Sequence, residues 1–396
     1  MELAEIIGLR PIAGAGLLAS ITRRCPLACA HCSTASTLRG EHLDSAALLR
    51  FVATFTPRDR PEVIVITGGE PMLRPRLVTD VAELARASGT RSAVLTGAFF
   101  ARGGAFFARG GRFPAAVRRA VDAVDHCSVS LDAYHESQVP RQDVFDLLRG
   151  LMDRGVAVSL HVVGTGAADP YLEDVTSDVV KAFGGCVPML VSELQPLGRA
   201  VGWRTAVAAA AATAAAGGTA VAAGGRTAVA AAAARAGPVE PCALAAWPVI
   251  AFDGTITACC NQDVVDGPGR SAHLRLGHIA TGSWSEIRRR SMASPALRVL
   301  RAVGPRHLGH TAPSAGPMGP AEYCATGQAF DEDSAGQAGL LAFAAGAAGE
   351  LLDREAGRIQ ARRGPAGFLR RYGCARHADL VTLHADLVTL TGERAV

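Results

Sequence analysis

Cys25-Pro-Leu-Ala-Cys29-Ala-His-Cys32, close behind the apolar run 16–22, is the stretch on which the reading of this chain turns. Its three cysteines are spaced C-x3-C-x2-C. Thiolates crowded this closely on one loop do not make an ordinary disulfide framework. Three of them suit an iron–sulfur cluster, with a structural zinc knuckle as the alternative on spacing alone. A cubane cluster normally takes four cysteine ligands, so three leave one iron open, and an open coordination position marks chemistry rather than scaffolding.

Around this loop the chain alternates short apolar strands with amphipathic helices. Strands are expected at 16–22, 63–67, 92–96, 126–131, 156–163 and 189–194, and helices at 45–55, 76–88, 114–124, 143–154 and 171–183. Asp44-Ser45 and Asp169-Pro170 supply capping side chains, the second with a proline preset for the first turn. Six such repeats predict parallel β/α architecture, a partial (β/α)6 TIM-like barrel, whose reactive groups gather at the C-terminal strand ends. The cysteine loop follows the first strand in that position, and the chain is expected to begin directly at that strand.

With 396 residues the chain has room for two or three domains or one large barrel with an appendage. The net charge of +4, from 40 basic and 36 acidic residues, gives no reason to expect nucleic-acid binding. No apolar run of about 20 residues has membrane flanks, and MELAEIIGLR lacks a signal-peptide pattern, so a cytoplasmic protein without membrane partners is expected. In such a chain ten clustered cysteines favour metal ligation over disulfides. Cys127 and Cys186 read as small buried apolar residues, and Cys374 has no evident partner. AFFARGG stands in tandem at 98–104 and 105–111, HADLVTL at 377–383 and 384–390, and RTAVAAAAA recurs at 204–212 and 226–234. These are too short and too few for a solenoid and read as local duplications.

From residue 237 the pattern changes, after an alanine–glycine linker over 204–236. Asp253-Gly254 between two β-rich runs predicts a hairpin that brings Cys242 towards Cys259. Ser283-Trp-Ser-Glu286 is a capping box opening a helix to about residue 299, and Cys324 follows. An alanine-rich helix is expected over 337–360. The domain division is therefore 1–203, linker 204–236, 237–330 and a helical tail 331–396.

The first two hundred residues resemble the radical S-adenosylmethionine enzyme superfamily: C-x3-C-x2-C at Cys25, Cys29 and Cys32 matches its cluster motif, and Gly68-Gly69-Glu70-Pro71 at the end of the second strand matches its GGEP motif. The resemblance implies a 4Fe-4S cluster on the three cysteines and S-adenosyl-L-methionine on its open iron, with the GGEP segment at the methionine amino group. An electron from the cluster would then yield a 5′-deoxyadenosyl radical that takes hydrogen from a substrate, the hard chemistry belonging to the cofactor. It also places Ser130, Asp132, Glu193, Gln195 and Arg199 near the cofactor, and His31 near its adenine; the bland reading of the strand-end residues is a capped strand. Tyr134, His135 and Glu136 follow Asp132 on the barrel's top face, where a proton donor or acceptor could sit, His being the side chain most easily poised near neutral pH. His161 reads equally as a buried, hydrogen-bonded residue.

Residues 242–324 resemble the SPASM/twitch extension that holds an auxiliary iron–sulfur cluster, which implies Cys242, Cys259 and Cys324 as ligands, with zinc as the alternative. The twitch form ends in a C-x2-C pair, and here Gly327 stands where the second cysteine would be. The fourth ligand is then Cys260, or the site is open to substrate, or the cluster is impaired. Cys260 is the poorer companion, because neighbours on a strand face opposite ways. The expected function is hydrogen abstraction from a natural-product precursor, a ribosomal peptide or an aminoglycoside-type sugar, giving net oxidation or cross-linking with a flavodoxin- or ferredoxin-type reductant. The alternatives are a radical epimerase or cyclase, or a non-catalytic iron–sulfur electron carrier or sensor.

Overall fold

The computed structural model describes residues 1–104, 113–203, 240–267, 272–308, 320–330 and 337–383. The linker 204–236, with both RTAVAAAAA copies, and the second copies of AFFARGG and HADLVTL lie outside the described residues.

A short helix, α1 (Leu3–Leu9), precedes β1 (Gly16–Ser20), so the chain does not open on its first strand. There follow α2 (Ser45–Val52), β2 (Val63–Thr67), α3 (Pro75–Ala87), β3 (Arg91–Thr96), α4 (Ala115–Ala123), β4 (His126–Ser130), the one-turn α5 (Ala133–Glu136), α6 (Arg141–Met152), β5 (Ala157–Gly164), α7 (Pro170–Phe183) and β6 (Met189–Glu193). The second half adds β7 (Val249–Ile250), β8 (Thr255–Thr257), α8 (Gln262–Asp266), β9 (Arg275–His278), α9 (Trp284–Ala293), α10 (Pro295–Ala302), α11 (Pro320–Gln328), α12 (Ala338–Ala345), α13 (Ala347–Arg362) and α14 (Gly364–Tyr372).

One sheet runs through both halves, in the order β6-β5-β4-β3-β2-β1-β7-β8-β9. Strands β1 to β6 pair in parallel, the partial six-stranded barrel. β7 adds to β1 in parallel, with Leu18 opposite Val249, and the Asp253-Gly254 turn folds β8 back antiparallel on it. β1 is therefore an interior strand. Side chains alternate along the strands with period two. Leu17, Ala19, Ile64, Ile66, Val129 and Leu160 are buried in the main apolar core. Leu18, Ser20, Thr67, Ser130 and His161 line a cavity. Ile6, Val63, Ala93, Ala246 and Trp247 form a separate apolar cluster.

The capping residues act as their types dictate. Asp44 accepts from the Ala46 and Ala47 amides, and Asp169 accepts from Tyr171 N beside Pro170 at the first turn. The Ser283–Glu286 capping box is formed. The helix it opens ends at Ala293 rather than near 299, because Ser294 is extended before Pro295 (φ −65°, ψ 117°) and caps a new helix by accepting from Leu297 N. The helix expected over 337–360 is likewise two, broken where Gly346 is extended (ψ 177°). The tail is structured: Cys374 is fully buried, and its amide donates to Val191 O on β6. Arg301 of α10 and Asp353 of α13 form a buried ion pair, Nη2 to Oδ2 2.7 Å and Nε to Oδ1 2.9 Å. Among the described residues no helix is long and apolar enough to cross a membrane.

Candidate active site

β1 delivers the chain at Thr22 into the loop carrying Cys25, Cys29 and Cys32, and two strand ends clamp that loop. On one side Gly69 N donates to Thr22 O (2.6 Å) and Glu70 N to Arg24 O (2.8 Å). Gly68 has φ +138°, and a Cβ on it would lie 2.4 Å from Thr22 O; one on Gly69 would lie 2.4 Å from Arg24 O. Only glycine lets the end of β2 approach the base of the loop so closely. On the other side Gly198, φ +55°, lies against the carbonyls of Cys32 and Ser33. Arg199 donates Nε to Cys29 O (2.9 Å), Nη1 to Ser36 O (2.7 Å) and its amide to Cys32 O (3.0 Å). Arg199 thus holds the loop's backbone as well as lining the cavity.

Each of the three sulfurs has a polar neighbour. Leu27 N donates to Cys25 Sγ (3.4 Å), Gln138 Nε2 to Cys29 Sγ (3.5 Å), and Thr34 Oγ1 lies 3.3 Å from Cys32 Sγ. Burial pushes the Cys25 thiol up to about 12, so it needs a bound cation to ionise readily near neutral pH. Three thiols with such donors, on a loop fixed from both sides, fit a cluster with one open iron.

Asp132, buried at the end of β4, caps α5 by accepting from the Tyr134 and His135 amides, both at 3.0 Å. Its other oxygen accepts from His135 Nδ1 (2.8 Å) and faces His31 Nε2 (3.3 Å). Burial alone would raise the Asp132 carboxyl, but the hydrogen bonds from His135 and His31 outweigh it and hold the group well below its ordinary value. Burial alone would lower His135, but the bond to Asp132 and the nearby Cys29 raise it to about 10. His31 stacks on Tyr134 at 4.6 Å, and its buried Nδ1 has no hydrogen-bond partner.

Glu70 is fully buried and accepts from Met72 N (2.8 Å), Thr96 Oγ1 (2.8 Å) and Gly97 N (2.9 Å). Burial pushes it up to about 7 against those bonds. Glu70 and Pro71 do not line the cavity, whereas Gly68, Gly69, Ser130, Asp132, Glu193 and Gln195 do. Burial raises Glu193. Of the three side chains after Asp132, His135 lines the cavity and Tyr134 packs between His31 and Trp203. Glu136 is turned away, accepting from Arg141 Nη2 (3.0 Å) and Tyr171 Oη (2.5 Å). His161 lines the cavity, and burial lowers it to about 4.

The cavity, about 970 Å³, is lined by both cysteine groups: Cys25, Cys29 and Cys32 from the barrel, and Cys242, Cys259, Cys260 and Cys324 from the second half. Cys259 and Cys260 lie beyond the last residue of β8, Thr257, so the strand rule that set Cys260 apart does not apply. Burial raises Cys259 well above the ordinary thiol range, and the neighbouring Cys260, Cys242 and Cys324 raise it further. Asn261 N donates to Cys259 Sγ (3.4 Å). The tail contributes Arg370, Arg371 and Tyr372 to the wall. Sequence reading did not reach Gln138, although it lies only two residues beyond Glu136, nor the tail residues, which carried no motif.

Residues 19–179 match the family model described as the Radical SAM superfamily. A stretch of 86 residues, 21% of this chain, is 38% identical to "PqqA peptide cyclase" of Methylocella silvestris and spans only 22% of that protein's length. Solved structures with similar chains include BtrN in complex with AdoMet and 2-DOIA (TM-score 0.40, 13% identity, 76% of this chain and 92% of that one). Another is anSMEcpe with bound AdoMet and Cp18Cys peptide (TM-score 0.43, 12% identity, 87% and 99%). A third is Streptococcus suis SuiB bound to S-adenosylmethionine (TM-score 0.43, 11% identity, 71% and 67%). Over residues 19–179 the chain is thus similar to the Radical SAM superfamily.

Proposed function

We propose that this protein is a radical S-adenosylmethionine enzyme with a second, auxiliary iron–sulfur cluster, acting on a natural-product precursor. Cys25, Cys29 and Cys32 would hold the first cluster. Gly68, Gly69, Ser130, Asp132, Glu193 and Gln195 would surround the cofactor, with His31 at its adenine. Cys242, Cys259 and Cys324 would hold the second cluster. When bound, the first cluster and S-adenosylmethionine supply a 5′-deoxyadenosyl radical for hydrogen abstraction. The chain's own part is to fix the loop through Arg199 and Gln138, to hold a proton on His135 against Asp132, and to keep the cavity walled.

The observation that carries the reading is the single cavity of about 970 Å³ reached by both cysteine groups, large enough for a cofactor beside a substrate. A cluster suits the second group better than zinc. One tetrahedral zinc with bonds of about 2.3 Å would draw its sulfurs to about 3.8 Å of each other. Among the described residues the trio of ligating side chains within 4.8 Å is His31, Asp132 and His135, and no cysteine trio is that close. The local match to a protein named as a peptide cyclase favours a peptide substrate over a sugar. Anaerobic incubation of the reconstituted protein with S-adenosylmethionine and dithionite should release 5′-deoxyadenosine, and Cys25→Ala should abolish it. No 5′-deoxyadenosine from iron-loaded protein would sink the enzyme reading.

A further inference from the structure

Arg10, just past the end of α1, is only 8% exposed. Its guanidinium lies 4.6 Å over the ring of Trp247, and Nη2 approaches Cys260 Sγ at 3.7 Å. Nη1 is buried with no hydrogen-bond partner. Among the described residues no carboxylate pairs with Arg10. A guanidinium buried without a counter-ion costs several kcal/mol, so proteins keep one where an anion faces it. What faces Arg10 is the second cysteine group.

That group contains four thiols, not three. Cys260 leaves β8 together with Cys259, and both line the cavity with Cys242 and Cys324. The position that lacks a cysteine is otherwise engaged, since Gly327 O is 2.8 Å from His273 Nε2. A cluster held by four thiolates is a net anion. It supplies the charge that the orphaned guanidinium lacks.

We propose that Cys260 is the fourth ligand of the auxiliary cluster, and that Arg10 is its charge partner, donating N–H to the Cys260 sulfur and holding the cluster's reduction potential up. The proposal rests on the two-cluster reading. Charge and hydrogen bonds at the sulfurs are what set such potentials, so Arg10 tunes and positions the group without touching substrate.

The test uses the full chain carrying Cys25→Ala, Cys29→Ala and Cys32→Ala, which isolates the second site. If that protein binds no iron on anaerobic reconstitution, the two-cluster reading itself fails. If it binds about four irons per chain, Cys260→Ala in the same background should lose at least one iron and change the electron paramagnetic resonance spectrum of the reduced cluster. Full iron and an unchanged spectrum would remove Cys260 from the ligand set. Arg10→Met should shift the cluster's midpoint potential downward, or release the cluster, with Arg10→Lys recovering most of the loss. An unchanged potential in Arg10→Met, or Arg10→Lys behaving like Arg10→Met, would overturn the charge pairing.

Discussion

Replacing Gly198 by alanine tests whether the close approach of the β6 end keeps the cysteine loop in place. The added Cβ would lie 2.2 Å from Ser33 O and 2.4 Å from Cys32 O, where real Cβ contacts essentially never fall below 3.0 Å. The loop, or residue 198, must therefore retreat by roughly 0.8 Å. Alanine at φ +55° adds about 1–2 kcal/mol of backbone strain, and the forced repacking about 1–3 kcal/mol, so a destabilisation of about 2–5 kcal/mol is expected. A retreat of that size also moves Cys32 and slackens the Arg199 bonds to Cys29 O and Ser36 O. Misplacing reacting groups by about 1 Å costs about 100-fold in rate. The assay is the initial rate of 5′-deoxyadenosine release under dithionite, beside the urea midpoint of the same preparation. Gly202→Ala serves as the control, because a Cβ there meets nothing within 4 Å. A Gly198→Ala protein with the parent's rate and urea midpoint would refute the reasoning.

Among the described residues Asp353→Ala leaves buried Arg301 only Ser291 as an acceptor, so about 3–5 kcal/mol of stability should be lost in urea titration. The double change Arg301→Met, Asp353→Leu should recover most of that. His126 is fully buried, with Met1 O at 3.0 Å from Nδ1 and Ser159 Oγ at 2.8 Å from Nε2, and burial lowers it to about 4. The unfolded chain, with an ordinary histidine near 6.5, takes up this proton first as pH falls. Stability should therefore drop by about 3 kcal/mol between pH 6.5 and 4. His126→Gln should flatten that slope in urea titrations across the window.

The barrel was legible because its signals are local. The alternation of apolar residues, the caps at Asp44 and Asp169, and the Asp253-Gly254 turn each act within a few residues. The helix break at Ser294-Pro295 is equally local, a proline with an extended capping serine before it. That Cys25, Cys29 and Cys32 share one loop followed from their spacing. What could not be read is whatever depends on distant parts meeting. Arg199 grips the loop from 170 residues away, and Arg10 reaches Cys260 across 250. Glu136 could be placed at a strand end, but its commitment to Arg141 and Tyr171 depends on how α6 and α7 pack. Cys260 was set apart on a strand rule that does not reach it, since β8 ends at Thr257.

The tail that buries Cys374 has a further consequence. A barrel that stops at six strands leaves the outer edge of β6 with unpaired backbone groups, the kind of edge along which sheets recruit one another. The Cys374 amide occupies Val191 O on that edge, and Arg370, Arg371 and Tyr372 immediately before it wall the cavity. One short segment therefore serves as both edge guard and chamber wall. Shortening the chain to end before α14 would expose a sticky strand and open the chamber together, so self-association and loss of activity should arrive as a single defect.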